Sequence, residues 1–370
     1  MAEQRLIIGF YPQASKEECL ELHANLGAQF IQSIDELNAH VVTVPVKSHQ
    51  TVVGRYRSCK YVRYIELDGK FHATGLCRII PNDPNFNVQY GLPKIMAPEA
   101  WCISERSRTD VDIAILDSGV DSTHPDLAGK VTVSMNFTDS PDPDLFGHGT
   151  HVAGIAGADT NNGLFGAGIS FNSCDLWNLK VLGDDGTGLF SWIANGILFA
   201  ANNGADIINM SFGSTTDSNL VSDAVTFAFN QGLVLVASAG NDNSSDPNFP
   251  AAYPVVISVA ATDVNDQKAS FSNFGDGVDV AAPGDNIFST LPTFPNSQGA
   301  LNFGSLSGTS QASPLVGGLA GLIKATFPSL TNVQIRQAIE STTDDVPGSG
   351  VLYQFGRINA LSALIEAAEL

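Results

Sequence analysis

Ile113-Ala114-Ile115-Leu116-Asp117-Ser118-Gly119 decides how the chain is read. An unbroken apolar run that stops at a turn is a strand buried on both faces. Such strands belong to parallel sheets covered by helices on either side. In open sheets of that kind the working residues sit at the carboxyl ends of strands. The run ends in a carboxylate, so Asp117 is a candidate site residue.

The same pattern extends downstream. Apolar strands are predicted at Val111–Leu116, Ser173–Leu182, Ile207–Met210, Leu233–Ala237, Val256–Ala260 and Val278–Ala281. Helices are predicted at His148–Ala158, Phe190–Asn202, Asn219–Gln231, Gln311–Thr326, Asn332–Ser341 and Asn359–Ala368. The alternation predicts an α/β fold, a doubly wound and mostly parallel sheet with helices on both faces. Upstream the texture differs. Leu6–Phe10, a helix from Ser15 to Leu26 opened by the capping box Ser15-Lys16-Glu17-Glu18, Gln29–Ile34, His40–Val44, a helix at Ser48–Arg57 and Tyr61–Glu66 spell β-α-β-β-α-β. That is a small α+β, ferredoxin-like unit. Residues 68–98, with Gly69, Gly75, Pro81, Pro84, Gly91, Pro93 and Pro98, read as a linker and an extended arm.

Charge divides the chain at the same place. The 370 residues carry a net charge of −20, yet residues 1–74 hold eight basic and eight acidic side chains and are neutral. The acidic remainder argues against nucleic acid or an anionic membrane as partner and suits bound cations. No segment is apolar for long enough to span a membrane. Met1-Ala2-Glu3-Gln4-Arg5 has no signal-peptide core, which leaves an exported protein with its signal outside this sequence, or a cytoplasmic one. Cys19, Cys59, Cys77, Cys102 and Cys174 are odd in number and scattered, and read as free thiols.

Two further motifs join Asp117. His148-Gly149-Thr150-His151 opens one helix and Ser307-Gly308-Thr309-Ser310 opens another. Asp, His and Ser in that order match a known order of acyl-transfer triads. A serine hydroxyl is a weak nucleophile, so an imidazole must take its proton and a carboxylate must hold that imidazole in the right tautomer. Singly, each has a duller reading: a turn, a structural histidine, a helix cap. Together they are specific.

These segments resemble the subtilisin-like serine proteases, and within them the thermitase-like members. The resemblance runs from Pro81-Asn82-Asp83-Pro84 to Gly356-Arg357-Ile358-Asn359-Ala360. It implies a serine endopeptidase acting through an acyl-enzyme on Ser310, with His148 as general base and acid and Asp117 as its orienter. Val236-Ala237-Ser238-Ala239-Gly240-Asn241 matches the strand and turn that supply the oxyanion-hole asparagine, Asn241. Residues 1–74 resemble the family's propeptide, an inhibitor and folding chaperone, leaving 75–370 as the catalytic domain. Cleavage is expected near Thr74–Gly75. Substrate would add as a strand between Gly186-Thr187-Gly188 and Ser211-Phe212-Gly213, with its first pocket running past Gly240 to a floor at Asn248. Asp242 could rim that pocket, with Asp184 and Asp185 near another subsite. Protein substrates of broad side-chain type and a monomer are implied.

Ca²⁺ is the implied cofactor, with six to eight oxygen ligands. Side chains would come from Asp83, Asp126 and Asn162, and carbonyls from Asp159, Leu164 and Gly166. Asp139, Asp142 and Asp144 form either a second calcium loop or an ordinary Asp/Pro turn. One departure stands out: the family usually has Met after the nucleophile, and here Gln311 takes its place. That change predicts resistance to oxidants, or a slow or inactive peptide-binding relative of the proteases. A nucleotide-binding α/β enzyme fails as a rival, because Gly163, Gly166 and Gly168 follow a helix rather than a strand.

Overall fold

A computed structural model describes residues 3–45, 47, 49–69, 77–104 and 111–370. The chain forms two compact units, Met1–Leu76 and Cys77–Leu370. The expected cleavage point, Thr74–Gly75, lies outside the described residues.

In the first unit β1 (Glu3–Phe10), α1 (Lys16–Asn25), β2 (Gln29–Ile34), β3 (Ala39–Pro45), α2 (His49–Arg57) and β4 (Val62–Leu67) follow one another. The sheet order is β2-β3-β1-β4 and every pairing is antiparallel. This is the βαββαβ plan read from the sequence. The Ser15–Glu18 capping box forms in both directions, Glu18 N donating to Ser15 Oγ at 3.2 Å and Ser15 N to Glu18 Oε2 at 2.9 Å. Leu6, Ile8 and Phe10 alternate onto one face of β1 and pack with Val42, Val44 and Tyr56.

The second unit opens with a short helix, α3 (Gly91–Lys94), and α4 (Ala97–Ser104). The extended arm expected here is thus partly helical. Pro98 misled that reading: it stands in the first turn of α4, where its missing N–H costs nothing. Then come β5 (Asp112–Asp117), β6 (Val131–Asn136), α5 (His148–Gly157), β7 (Asp175–Lys180), α6 (Phe190–Asn203), β8 (Ile207–Met210), α7 (Asn219–Asn230), β9 (Val234–Ser238), β10 (Ile257–Thr262) and β11 (Val280–Pro283). A hairpin, β12 (Ile287–Thr290) and β13 (Phe303–Leu306), precedes α8 (Thr309–Thr326), α9 (Asn332–Ser341) and α10 (Ala360–Ala367). The seven strands run parallel in the order β11-β10-β9-β8-β5-β7-β6. One apolar cluster packs α4, α5, α8, α9 and α10 on one face of the sheet; a second packs α6 and α7 on the other.

The winding sends β6 and β7 to one side of β5 and β8 to β11 to the other. The crevice at that reversal lies over the carboxyl ends of β5, β8 and β9, where Asp117, Ser211 and Asn241 emerge. The sequence reading omitted β6 and the β12–β13 hairpin. β6 and β13 are half-exposed, and β12, though mostly buried, is four residues long and ends in Ser289-Thr290, so none leaves a long apolar run.

The thiol assignment needs correction. Cys77 and Cys102 form a disulfide across 25 residues, tying the start of this unit to α4, while Cys19, Cys59 and Cys174 stay free. An odd total hid one pair.

Candidate active site

Asp117 ends β5, fully buried, and its Oδ1 lies 2.8 Å from His148 Nδ1. The same oxygen accepts the Ser118 backbone N–H at 2.7 Å, which fixes the carboxylate plane. His148 is the first residue of α5, after Gly147 at φ 88°. That left-handed turn needs glycine. A Cβ there would also press on Asn296 and Gln298 of the β12–β13 loop. Below the turn, buried Asp144 accepts Ser118 Oγ, Gly147 N, and both Thr150 N and Thr150 Oγ1 at 2.6–2.9 Å. Asp144 therefore braces the histidine's helix and does not face an outside cation. Asp142 accepts a hydrogen bond from Asn136.

Burial pulls the His148 imidazole toward its neutral form. The charge of Asp117 and its hydrogen bond, with Asp144 behind, pull harder the other way, and the imidazole ends above its ordinary range. His151, three residues on, is buried against Gly304 O and pushed down to about 3 by burial. It packs, as expected.

Ser310 is the second residue of α8. Its Oγ donates to Ser211 O at 3.0 Å. Beneath it a buried polar network holds the backbone still: Ser211 Oγ donates to Ser310 O at 3.0 Å and meets Ser313 Oγ at 2.9 Å, and Asn209 bonds both hydroxyls. Asn241 follows β9. Its Oδ1 accepts both Thr309 N and Thr309 Oγ1, which leaves the carboxamide N–H₂ for the cleft. Gln311 is buried, and its Nε2 has no hydrogen-bond partner among the described residues.

Five of the residues named for substrate share one cavity, and Ser211, Gly240 and Asn248 lie outside its lining. Gly186, Thr187, Gly188, Phe212 and Gly213 border a cavity of about 380 Å³ whose walls include Phe190 and Tyr253. Asn248 reaches between Gly213, named for the substrate edge, and Gly240, named for the first pocket. A Cβ on Gly213 would collide with its carboxamide, and one on Gly240 would lie 3.1 Å from its Nδ2. Asp184 is ion-paired with buried Lys180 at 3.1 Å and Asp185 accepts Thr187 N and Oγ1, so neither carboxylate is spare. Sequence reasoning missed Phe146. Its ring lies 6.3 Å from that of His148, and a Cβ on Gly186 would sit 2.5 Å from its Cζ. Its signal was slight, one aromatic two residues before the histidine.

Asp83 and Asp126 converge on the loop after α5. Asp83 accepts Asn161 N, Asn162 N and Gly163 N at 2.7–3.1 Å; Asp126 accepts Gly166 N and Asn162 Nδ2, both at 3.0 Å. Asp159 N donates to Asp126 O. Both carboxyls are raised, first by burial. Among the described residues no set of three His, Cys, Asp or Glu side chains converges as metal ligands. Two buried carboxylates with no Lys or Arg partner among the described residues, beside an asparagine and loop carbonyls, are nonetheless a donor set of hard oxygens that suits Ca²⁺.

Residues 108–357 match the Subtilase family, and residues 2–68 match the Fervidolysin N-terminal prodomain. Thermitase of Thermoactinomyces vulgaris is 47% identical over 77% of this chain and 99% of its own. A thermophilic serine proteinase of Bacillus sp. (strain AK1) is 39% identical over 97% of this chain and 86% of its own. A solved protease structure from Pseudoalteromonas arctica PAMC 21717 superposes with a TM-score of 0.70 at 31% identity, covering 78% of this chain and 99% of that one. With this fold, this prodomain and these relatives, the chain belongs to the subtilase family and is a thermitase-like serine endopeptidase with an N-terminal propeptide.

Proposed function

We propose that the enzyme hydrolyses peptide bonds through an acyl-enzyme on Ser310 and is made as a self-processing zymogen. The pairing of buried Asp117 with part-buried His148 carries this reading. Rotation about χ1 moves the Ser310 hydroxyl from Ser211 O to His148 Nε2, which takes its proton as the oxygen attacks the substrate carbonyl. Asp117 stabilises the imidazolium so formed. The Asn241 amide and the Ser310 N–H receive the oxyanion. His148 then returns the proton to the leaving amine, and water repeats the cycle to free the acid. Substrate backbone pairs with 186–188 and 211–213, and residues 1–74 act as inhibitor until cleavage near 74–75.

Calcium is proposed at Asp83, Asp126 and Asn162 with carbonyls of Asp159, Leu164 and Gly166. Bound there, it would neutralise buried carboxylates and tie the arm to its loop, with no part in the chemical steps. The Cys77–Cys102 disulfide favours an oxidising, exported setting.

Intact mass of wild type and Ser310→Ala, with and without calcium, tests the reading. Wild type should lose about a fifth of its 39.0 kDa while Ser310→Ala stays whole. If both stay whole under every condition, the chain is a peptide-binding relative without self-processing.

A further inference from the structure

The core of the N-terminal unit contains a chain of three polar rings. Tyr56 Oη on α2 lies 2.7 Å from His23 Nδ1 on α1, and His23 Nε2 lies 2.9 Å from His40 Nδ1 on β3. Exposure is 0% for Tyr56, 1% for His23 and 6% for His40. Phe10 of β1 stands against both imidazoles, at 5.7 and 5.2 Å between ring centroids, and Phe30 of β2 at 6.2 and 5.2 Å. The charges that act on the pair are few. Lys16 of α1 and Asp35, after β2, act on His40 with opposite sign, and those two lie 3.9 Å apart on the surface. His23 feels only His40.

Proton counting shows what this chain tolerates. With both imidazoles neutral, one proton fills each link: Tyr56 O–H to His23 Nδ1 and His23 Nε2–H to His40 Nδ1, or the reverse order. One added proton makes a cation among phenyl rings, with no buried carboxylate among the described residues of this unit to answer it. A second sets N–H against N–H between His23 and His40 and breaks the link that joins α1 to β3.

We infer that the His23–His40–Tyr56 chain is an acid-sensitive latch, and that its protonation opens the N-terminal unit and releases the protease. The release half rests on the inhibitor role proposed above. Burial, with His40 beside it, holds the His23 imidazole down to about 4, and burial lowers His40 too. An unfolded imidazole titrates near ~6.5. Between those values the unfolded unit binds the more protons, so stability is complete above about 6.5 and drains away as pH falls toward 4. Each pH unit in that window lowers the folding equilibrium of the unit by up to roughly tenfold for His23 alone.

Hydrogen exchange of the full-length Ser310→Ala chain, corrected for the intrinsic pH dependence of exchange, reads the latch directly. Protection in α1, β3 and α2 should fall about tenfold or more between pH 7 and 5, while α8 holds. His23→Gln should remove most of that step. Where that variant fails to fold, selective imidazole NMR of the Ser310→Ala chain decides instead: His23 titrating at the ordinary ~6.5 overturns the latch. Wild type incubated at pH 5 and assayed at neutral pH should gain activity sooner than wild type kept neutral. Equal rates, with the exchange step present, overturn the latch as a regulator. Full activity of the intact chain before any loss of mass instead overturns the inhibitor role, a separate result.

Discussion

Thr309 grips the carboxamide of Asn241 by its oxygen, donating from its backbone N at 2.9 Å and from Oγ1 at 3.0 Å. An asparagine side chain can flip at little cost, and its two ends are opposite in sign. Two donors on one oxygen settle which end faces the cleft. The Thr309 hydroxyl in turn accepts Gly240 N at 3.1 Å, so the turn and the helix start are stitched together. Asn241→Ala should therefore lower kcat by about 10²–10³ with KM little changed, the magnitude known for the equivalent donor in related subtilisins. Thr309→Val keeps the backbone donor and loses the hydroxyl; kcat should fall by about tenfold. Steady-state kinetics on a short peptide substrate checks both. A Thr309→Val enzyme altered in KM alone would show that the hydroxyl does not aim the amide.

The His148 imidazole must be neutral to take a proton. Burial lowers its pKa, while Asp117 and then Asp144 raise it above the ordinary ~6.5 in sum. Activity is thus lost as pH falls through that raised value, and kcat/KM of the processed enzyme should have its acid limb above about 6.5. Asp117→Asn should cost about 10⁴ in kcat, because the imidazole is then held in the wrong tautomer. An acid limb well below 6.5 in the pH profile would mean that Asp117 does not set the charge of His148.

Asn248 is proposed as the floor of the first pocket, and its carboxamide lies between Gly213 and Gly240. Asn248→Gly empties that space. The variant should gain about tenfold or more in kcat/KM for substrates with Phe or Tyr before the scissile bond, relative to Ala, as roughly 1–3 kcal/mol of apolar side chain becomes buried. A peptide panel varied at that one residue measures the ratio. No change in it would place the pocket elsewhere.

Much of this was legible before any coordinates, and the reasons are physical. The strand ending at Asp117 and the helices opening at His148 and Ser310 are buried elements, whose apolar runs and glycine turns leave a dense local signal. The capping box at Ser15 is local too. What stayed hidden depends on distant partners. Cys77 and Cys102 pair only once α4 forms behind Pro98. Asp144, open in sequence between a calcium loop and an Asp/Pro turn, becomes buried because Ser118, just after β5, and Thr150 of α5 meet it. His23, His40 and Tyr56 carry no motif; the order of the β2-β3-β1-β4 sheet brings them together.

The Cys77–Cys102 disulfide closes a 25-residue segment at the start of the catalytic unit. A loop of that size restrains the unfolded chain by about 3 kcal/mol in the loop-entropy picture. The double variant Cys77→Ser/Cys102→Ser should melt several degrees lower. Added reductant should lower the wild-type melting temperature and leave that of the variant alone. Calorimetry of the Ser310→Ala background avoids self-digestion. Equal melting with and without reductant would mean that the bond restrains nothing the unfolded chain would otherwise gain.

Asp83 joins the arm to the loop of Asn161, Asn162 and Gly163 through backbone N–H groups, and Asp126 grips the same loop from below. Each carboxylate is nearly out of water, and among the described residues neither has a Lys or Arg ion-pair partner, Asp126 having only His124 nearby. Burying them charged costs stability that a bound cation would restore. In calcium at about a hundred times its dissociation constant the gain is roughly 2.7 kcal/mol. For a unit of this size that is about 4–5 °C in melting temperature. Chelation should remove that increment from Ser310→Ala protein. Adding Asp83→Asn should remove it as well, but for a different reason, and the two perturbations should not add. In chelator the Asp83→Asn protein loses a buried charge but sets an N–H₂ against at least one loop N–H, so it should fall behind its parent by less than it does in calcium. That difference is what separates a metal ligand from a carboxylate that only accepts hydrogen bonds. Were Asp83→Asn less stable by the same amount in calcium and in chelator, the loop would be held by the three N–H groups alone.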